Sequence, residues 1–366
     1  MIYPVMLPHL RAAYDLDLAM AGLLLTVMFL AYSLGQLPGG VLADRLGEGR
    51  IMVISTALTA GTITLVVVAG STVLLFLATG LFGFATGLFA VARFTSLADI
   101  YPEQVGTVFG IINAASDAGQ AILPPIASVL AAVLVWQLGF GFTIPILILI
   151  AIGIWWVVPA RTSGPTSAVD SITVSSVKYV LRGVMTPSIA LATVVLILGH
   201  AIWQAFTGFY PTYLIEIKGL SSSLVGLLFG AFFAFGVVLK PLAGKGYDTL
   251  GPRTTLILLM GMTTCGLAVL PFMVGFWPIV IATAMISGVL GYSTVMTSFV
   301  TVSLTDDMKG TGLGIVRTVY WLVSSASPVI FGVIADMGYF NEAFLILGGL
   351  ALLMVMFAVF LPHTAR

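Results

Sequence analysis

The sequence predicts an all-α polytopic membrane protein, and three observations carry that prediction. Hydrophobic residues fill 60% of the 366 positions. Charged residues fill 8%, against roughly 25% in an ordinary soluble domain, so a soluble fold of this size could not cover its surface. The apolar residues also fall into continuous runs of about 20, the length at which a helix crosses the roughly 30 Å hydrocarbon core of a bilayer. They do not alternate with period two, which argues against a barrel.

The runs place eleven full spans near 18–42, 50–68, 72–93, 104–128, 138–158, 187–214, 221–243, 254–271, 275–300, 309–335 and 341–362. Before them stands "MIYPVMLPHLRAAYDLD", whose apolar part is too short to span. It also lacks the basic start, sustained apolar core and cleavage site of a secretory signal.

An internal repeat organises the spans. A shift of 204 positions lays Gly22-Leu23-Leu24 on Gly226-Leu227-Leu228, Gly40 on Gly244, Asp44 on Asp248 and Leu46-Gly47 on Leu250-Gly251. The same ungapped shift lays Gly87 on Gly291, Gly106-Thr107 on Gly310-Thr311, Gly110 on Gly314 and Pro124 on Pro328. Two similar halves in the same orientation are expected, the parallel-repeat arrangement of some transporters. Tyr3-Pro4 matches Tyr210-Pro211, which a run from Pro187 precedes; the expectation is that most of a first helix is missing from this sequence. "PARTSGPTSAVDSITVSSVKYVLRG" (159–183) reads as a linker with a short amphipathic helix near 176–183. The expected organisation is an N-terminal bundle over 1–158, a linker over 159–185 and a C-terminal bundle over 186–366.

Charge sets the topology. One set of alternate loops holds Arg45, Arg50, Arg161, Lys178, Arg182, Lys245, Arg253, Lys309 and Arg366, the other only Arg11 and Lys218. The positive-inside rule therefore puts the first set, with the linker and C-terminus, in the cytoplasm of a multi-pass plasma-membrane protein. A net charge of zero leaves no footprint for a nucleic acid. Cys265, the single cysteine, forbids an intrachain disulfide and is expected to be a small buried hydrophobe. Zinc spacing, a phosphate loop and a nucleophile elbow are all missing, which speaks against an enzyme and against a metal or other cofactor.

The turn "GGVLADRLGEGR" (39–50) packs four charges between two apolar runs. Gly40, Asp44, Arg45, Gly47 and Arg50 resemble the signature G-x-x-x-D-R-x-G-R-R between the second and third helices of the major facilitator superfamily (MFS). "GKGYDTLGPR" from Gly244, with Asp248, Gly251 and Arg253, resembles its degenerate echo. The resemblance covers essentially the whole chain and implies a twelve-helix fold of two pseudo-symmetric six-helix bundles, here eleven spans and a stub. It further implies a cytoplasmic latch, with Asp44 facing the N-terminus of the eleventh helix and Arg45 or Arg50 pairing with Asp99. Two departures stand out: Glu48-Gly49 occupies the place of basic residues, and Thr249 follows Asp248. Independently of any family, Gly40 is expected to let the second helix approach its neighbour and Gly47 to turn the chain.

Ionisable groups inside a span cost about 2.5 to 3.5 kcal/mol on insertion scales and so require a reason. Asp117 and Arg317 stand out. The 204 shift lays Arg317 on Asn113, one turn from Asp117 on one helical face. Asp117 is a candidate proton-coupling or cation-binding carboxylate. Arg317 is a candidate anchor for an anionic substrate, or a partner of Gln36 or Tyr32. His200, Trp203 and Gln204 fall within about a turn near the midplane of the seventh span, where transporters of this type place substrate, and Arg93 could add a cation to the cavity. Each has a structural alternative in helix packing or snorkelling. The small residues Gly106, Gly110, Ala114 and Ala118 read as a close-packing stripe, and Pro124-Pro125, with Pro328, as kinks or breaks.

The reading is a secondary active transporter moving a small organic solute by rocking-switch alternating access, coupled to protons. The partners expected are that solute, H+ and the lipid bilayer, with the chain acting as a monomer. Two alternatives stay open: a multidrug or lipophilic-compound exporter of the same fold, and a non-transporting membrane sensor on that scaffold.

Overall fold

A computed structural model of the chain describes residues 2–101, 105–162, 186–304 and 309–361. The expected amphipathic helix near 176–183 and the side chain of Asp99 lie outside the described residues. The first helices are α1 (Tyr3–Tyr14), α2 (Leu18–Leu46), α3 (Glu48–Val67), α4 (Thr72–Ile100), α5 (Val105–Val133), α6 (Trp136–Gly141) and α7 (Thr143–Val157). After the linker come α8 (Pro187–Glu216), α9 (Ser222–Val269), α10 (Phe276–Ile286), α11 (Tyr292–Ser303), α12 (Lys309–Ser324), α13 (Ser327–Asp336) and α14 (Phe340–Ala358). No strand occurs among the described residues.

Ten stretches among the described residues are long and apolar enough to cross a membrane. One of them, Ser222–Phe272, has 51 residues, and at 1.5 Å per residue it would reach about 75 Å, more than twice a bilayer core. Gly251 breaks it with φ 81° and ψ 165°, so the stretch is two spans and the total is the eleven expected. Its repeat equivalent, Gly47, ends α2 with φ 97° and ψ 143°. Both glycines use backbone that a side chain would strain, and both reverse the chain at the same end of the bundle.

Local packing corrects three expectations. The close approach of α2 to α4 falls on Gly35 and Gly39, where a Cβ would strike the backbone of Phe84 and Leu88. Gly40, expected to have that role, has only Val91 in ordinary contact at 3.5 Å. Pro124 and Pro125 do not end α5, which runs through them, whereas Pro328 stands at the start of a new helix, α13. The two prolines therefore differ because Ser325 and Ala326 open a turn before Pro328. Ala114 and Ala118 are exposed, as is Cys265; the buried side of α5 carries Asp117, Pro124, Ala127, Ser128 and Ala131 instead, which leaves the two alanines off the packed face.

The two ends of the bundle are packed differently. At the end remote from the linker, Gly22 of α2 lies against the Pro328 backbone, and Gly332 of α13 against that of Leu18. The Leu18 N–H donates to Asp336 Oδ1 at 3.1 Å and the Val329 N–H to Thr26 Oγ1 at 3.1 Å. Gly226 and Gly230 of α9 lie in the same way against Ser128, Ala121 and Pro125 of α5. Arg11 and Glu216 form an ion pair there, and Lys218 donates to the carbonyls of Pro271 and Met273 at 2.6 and 2.9 Å. Partial burial holds the Lys218 ammonium below the usual lysine range. At the linker end, Leu34, Leu37, Val41, Ile111, Val238 and Leu242 are exposed. Helices from before and after the linker thus meet tightly at the end remote from it.

Candidate functional site

Asp117 is a buried charge near the middle of a span. It lies two residues from the middle of α5 with 4% of its surface exposed. The Lys240 ammonium, on α9, donates to both of its carboxylate oxygens at 2.7 Å. The pair crosses from a helix before the linker to one after it. Lys240 was not among the residues the sequence brought forward, because it stands near the end of its apolar run and reads there as interfacial. The signal existed: the 204 shift lays Lys240 on Gln36, itself a candidate. Asn113, one turn from Asp117, is exposed, and Gln36 is half-buried.

Around the other crossing of the halves the chemistry is aromatic. The His200 ring stacks on Trp203 at 5.2 Å and meets the edges of Tyr320 and Trp321 at 5.1 and 4.1 Å. His200 Nδ1 lies 3.2 Å from the Tyr292 hydroxyl. Gly199 makes this possible, since a side chain there would collide with the Tyr292 ring. From α2, Tyr32 packs on Trp321 at 4.7 Å and Phe29 approaches Trp203 at 6.3 Å. Gln204 is fully buried, and neither its amide nitrogen nor its oxygen has a hydrogen-bond partner among the described residues. Tyr292, Tyr320 and Trp321 are further residues that the sequence did not single out, though Trp321 follows Arg317 by one turn on the same face.

A cavity of about 250 Å³ opens beside this cluster. Ile2 and Tyr3 bound it from the start of α1, Met28, Phe29 and Tyr32 from α2, Phe82 and Thr86 from α4, and Trp321 from α12. The Tyr3 hydroxyl is taken up by Thr79 Oγ1 at 2.7 Å. The Thr86 hydroxyl donates back to the carbonyls of Phe82 and Gly83 at 2.9 and 2.8 Å. The wall is therefore mostly ring face and hydrocarbon.

Two guanidinium groups stand toward the linker end of the same region. Arg93 of α4 and Arg317 of α12, both half-buried, lie within electrostatic reach of each other. Arg93 also feels the Tyr32 hydroxyl, and His200 feels Arg317. The structure thus gathers Tyr32, Arg93, His200, Trp203 and Arg317 into one region. Asp117, with Lys240, forms a separate one.

The signature turn has its own partners. Arg161, just past α7, donates to the α2 carbonyls of Asp44 and Arg45 at 2.8 and 2.9 Å, which caps the helix C-terminus. Glu48 Oε2 accepts the Thr162 N–H at 2.9 Å, and the Arg50 N–H points to the Ala160 carbonyl at 3.4 Å. A Cβ on Gly49 would strike the Pro159 carbonyl. Glu48 and Gly49, the departures from the family pattern, are thus the residues that admit the beginning of the linker. The side chains of Asp44, Arg45, Arg50 and Asp248 are exposed, and Arg253 is half-buried. The latch expected between Asp44 and the eleventh helix, and its pairing through Asp99, involve residues outside those described.

Comparison with known proteins defines the class. The sequence pattern of the Major Facilitator Superfamily matches residues 1–326 and again 219–366. The chain is 25% identical to an uncharacterised MFS-type transporter of Bacillus subtilis, covering 88% of this chain and 82% of that one. It is also 25% identical to the hexuronate transporter of the same organism, over 94% and 86% of the two chains. Among solved structures, a bacterial homologue of the human lysosomal transporter Spinster, inward-facing and occupied, superposes with a TM-score of 0.80 at 14% identity, covering 98% of this chain and 92% of that one. A D-xylose–proton symporter gives 0.79 at 14% identity, over 100% and 94%. The chain belongs to the Major Facilitator Superfamily. It is an integral membrane transporter of the secondary kind, not an enzyme, and its cargo is a small molecule.

Proposed function

We propose that the chain carries a small organic anion across the plasma membrane by rocking its two halves, 1–158 and 186–366, about the site between them. The observation that supports this most is that Arg93 and Arg317, one cation from each half, come within electrostatic reach of each other toward the linker end. A bound anion would draw the two together and favour closure at that end. The similarity to a hexuronate transporter, whose named cargo is a sugar carboxylate, points the same way. Nine basic residues against two in alternate loops support a cytoplasmic position for the linker end. The turn around Asp44, Arg45 and Arg50 then acts as a cytoplasmic gate.

Asp117, paired with Lys240 across the halves, is the coupling residue in this reading. Protonating Asp117 removes the attraction and frees the two helices to part. A cation site at Asp117 is less well supported, since Lys240 already occupies both oxygens.

The test is uptake by proteoliposomes of labelled glucuronate and benzenesulfonate, two anions that do not leak through lipid, with and without an imposed proton gradient. Uptake of either above protein-free liposomes, raised by the gradient, is the expected result. Uptake of neutral xylose with neither anion carried would overturn the anion assignment, and uptake indifferent to the gradient would overturn the coupling. The apolar cavity favours one competing reading, export of lipophilic compounds, which predicts ethidium efflux instead.

A further inference from the structure

We propose that the anion carried is hydroxylated, and that the serine and threonine face of α11 binds its hydroxyl groups. This rests on the anion reading above and assigns the body of the molecule. Three observations carry it.

The first is the make-up of the helix. Six of the twelve residues of α11 are serine or threonine. At about 100° per residue, Ser293, Thr294, Thr297, Ser298 and Thr301 fall within an arc of about 140°. Tyr292, Val295, Met296, Phe299 and Val300 take the opposite arc and are buried. Polar groups gathered on one side of a membrane span mark a side turned to protein or to an aqueous cavity, away from lipid.

The second is what these hydroxyls leave unbonded. A helical serine or threonine can return its hydroxyl to a carbonyl one turn back, as Thr56, Thr193, Thr263 and Thr264 do at 2.7 to 2.9 Å. Thr301 does the same, to the Thr297 carbonyl at 2.7 Å. Ser293, Thr294, Thr297 and Ser298 make no side-chain hydrogen bond among the described residues, and all four are only half-buried. Each keeps a donor and an acceptor for a molecule that reaches it.

The third is direction and spacing. The 204 shift lays Thr297 on Arg93, and Arg93 is the residue of α4 that feels Arg317 in the other half. The equivalent face of α11 is thus turned to the region between the halves. It begins beside Tyr292, whose hydroxyl lies 3.2 Å from His200 Nδ1, and runs about 12 Å toward the linker end. Ser293 and Thr297, like Thr294 and Ser298, stand one turn or roughly 5 to 6 Å apart. Hydroxyl groups on opposite sides of one six-membered ring span that interval. A hydrocarbon body in the same place would cover the hydroxyls without bonding them, which is costly. The class that fits is a small polyhydroxylated carboxylate, of which a sugar acid is the simplest case.

The experiment is calorimetric titration of the full-length purified protein with glucuronate, cyclohexanecarboxylate and glucose. Glucuronate is expected to bind, with cyclohexanecarboxylate weaker by about tenfold or more. Thr297→Val and Ser293→Ala, at unchanged thermal midpoints, should each weaken glucuronate by about three- to tenfold and leave cyclohexanecarboxylate within about twofold. Thr297→Ser keeps the hydroxyl and should hold glucuronate within about threefold of the parent. Cyclohexanecarboxylate binding as tightly as glucuronate, or both hydroxyl deletions leaving glucuronate unchanged, would overturn the α11 assignment and leave the anion reading standing. Glucose binding as tightly as glucuronate, and weakened by Thr297→Val, would overturn the anion reading and leave the α11 assignment standing. Binding of none of the three overturns the proposal.

Discussion

Positions 36 and 240 are equivalent under the 204 shift, and so are positions 117 and 321. Across one crossing of the halves, between α5 and α9, the repeat has produced an ion pair: Asp117 with Lys240, at 2.7 Å to both oxygens. Across the other, between α2 and α12, it has produced Gln36 and Trp321, with the Tyr32 ring packed on the indole at 4.7 Å. The backbone obeys the symmetry, as Gly47 and Gly251 show, and the chemistry does not. A ladder of glycines can be duplicated without loss, because it serves packing on either side. A site for an asymmetric ligand gains from different groups on its two sides. The crossing with charges on both sides satisfies itself. The crossing with aromatic faces and nearby arginines is the one at which the proposed substrate is placed.

This contrast can be broken from either side. Lys240→Met leaves Asp117 buried without its counter-charge, at a cost of about 3 to 5 kcal/mol. A large fall in the thermal midpoint of the detergent-solubilised protein is expected, with Asp117→Asn/Lys240→Gln recovering most of it. A Lys240→Met protein as stable as the parent would show that the ion pair does not hold the crossing together. Arg317→Gln, on the other crossing, should leave the midpoint within a degree or two. It should reduce anion uptake about tenfold to a hundredfold, the range for a lost charge-assisted hydrogen bond of about 1.5 to 3 kcal/mol. Full transport by a well-folded Arg317→Ala protein would remove the anchor role.

Smaller effects sharpen the picture of the two ends. Asp336→Ala removes the acceptor for the Leu18 N–H, worth about 0.5 to 2 kcal/mol at a helix N-terminus, and should weaken the seal at the end remote from the linker. Labelling of a cysteine placed at Thr26 would then become faster. Gly49→Ala should push the linker away from the signature turn and speed tryptic cleavage within residues 161–182, with little change in uptake. An unchanged cleavage rate would mean that the contacts of Glu48 and Gly49 do not restrain the linker.

The spans were legible because runs of about 20 apolar residues have few other uses, and the repeat because glycines and prolines mark backbone events that survive when other residues drift. Lys240 was obscured by its place near the end of an apolar run, where a lysine ordinarily snorkels to the interface. Comparing the repeat position by position at Gln36 would have exposed it. Tyr292 and Tyr320 could not be read as neighbours of His200, since only the assembly of α8, α11 and α12 sets which faces meet. Gly40 drew attention because it belongs to a signature, while Gly35 and Gly39 carry the close contact with α4. A motif identifies a turn more reliably than it says which glycine in it touches what.

The most direct test of the account is counterflow of labelled benzenesulfonate in proteoliposomes carrying the parent protein beside Arg93→Gln/Arg317→Gln, with Asp117 and Lys240 untouched. The account predicts exchange by the parent and exchange at the level of empty liposomes by the double variant, at matching thermal midpoints. Equal exchange by the two proteins, or none by the parent, would contradict it.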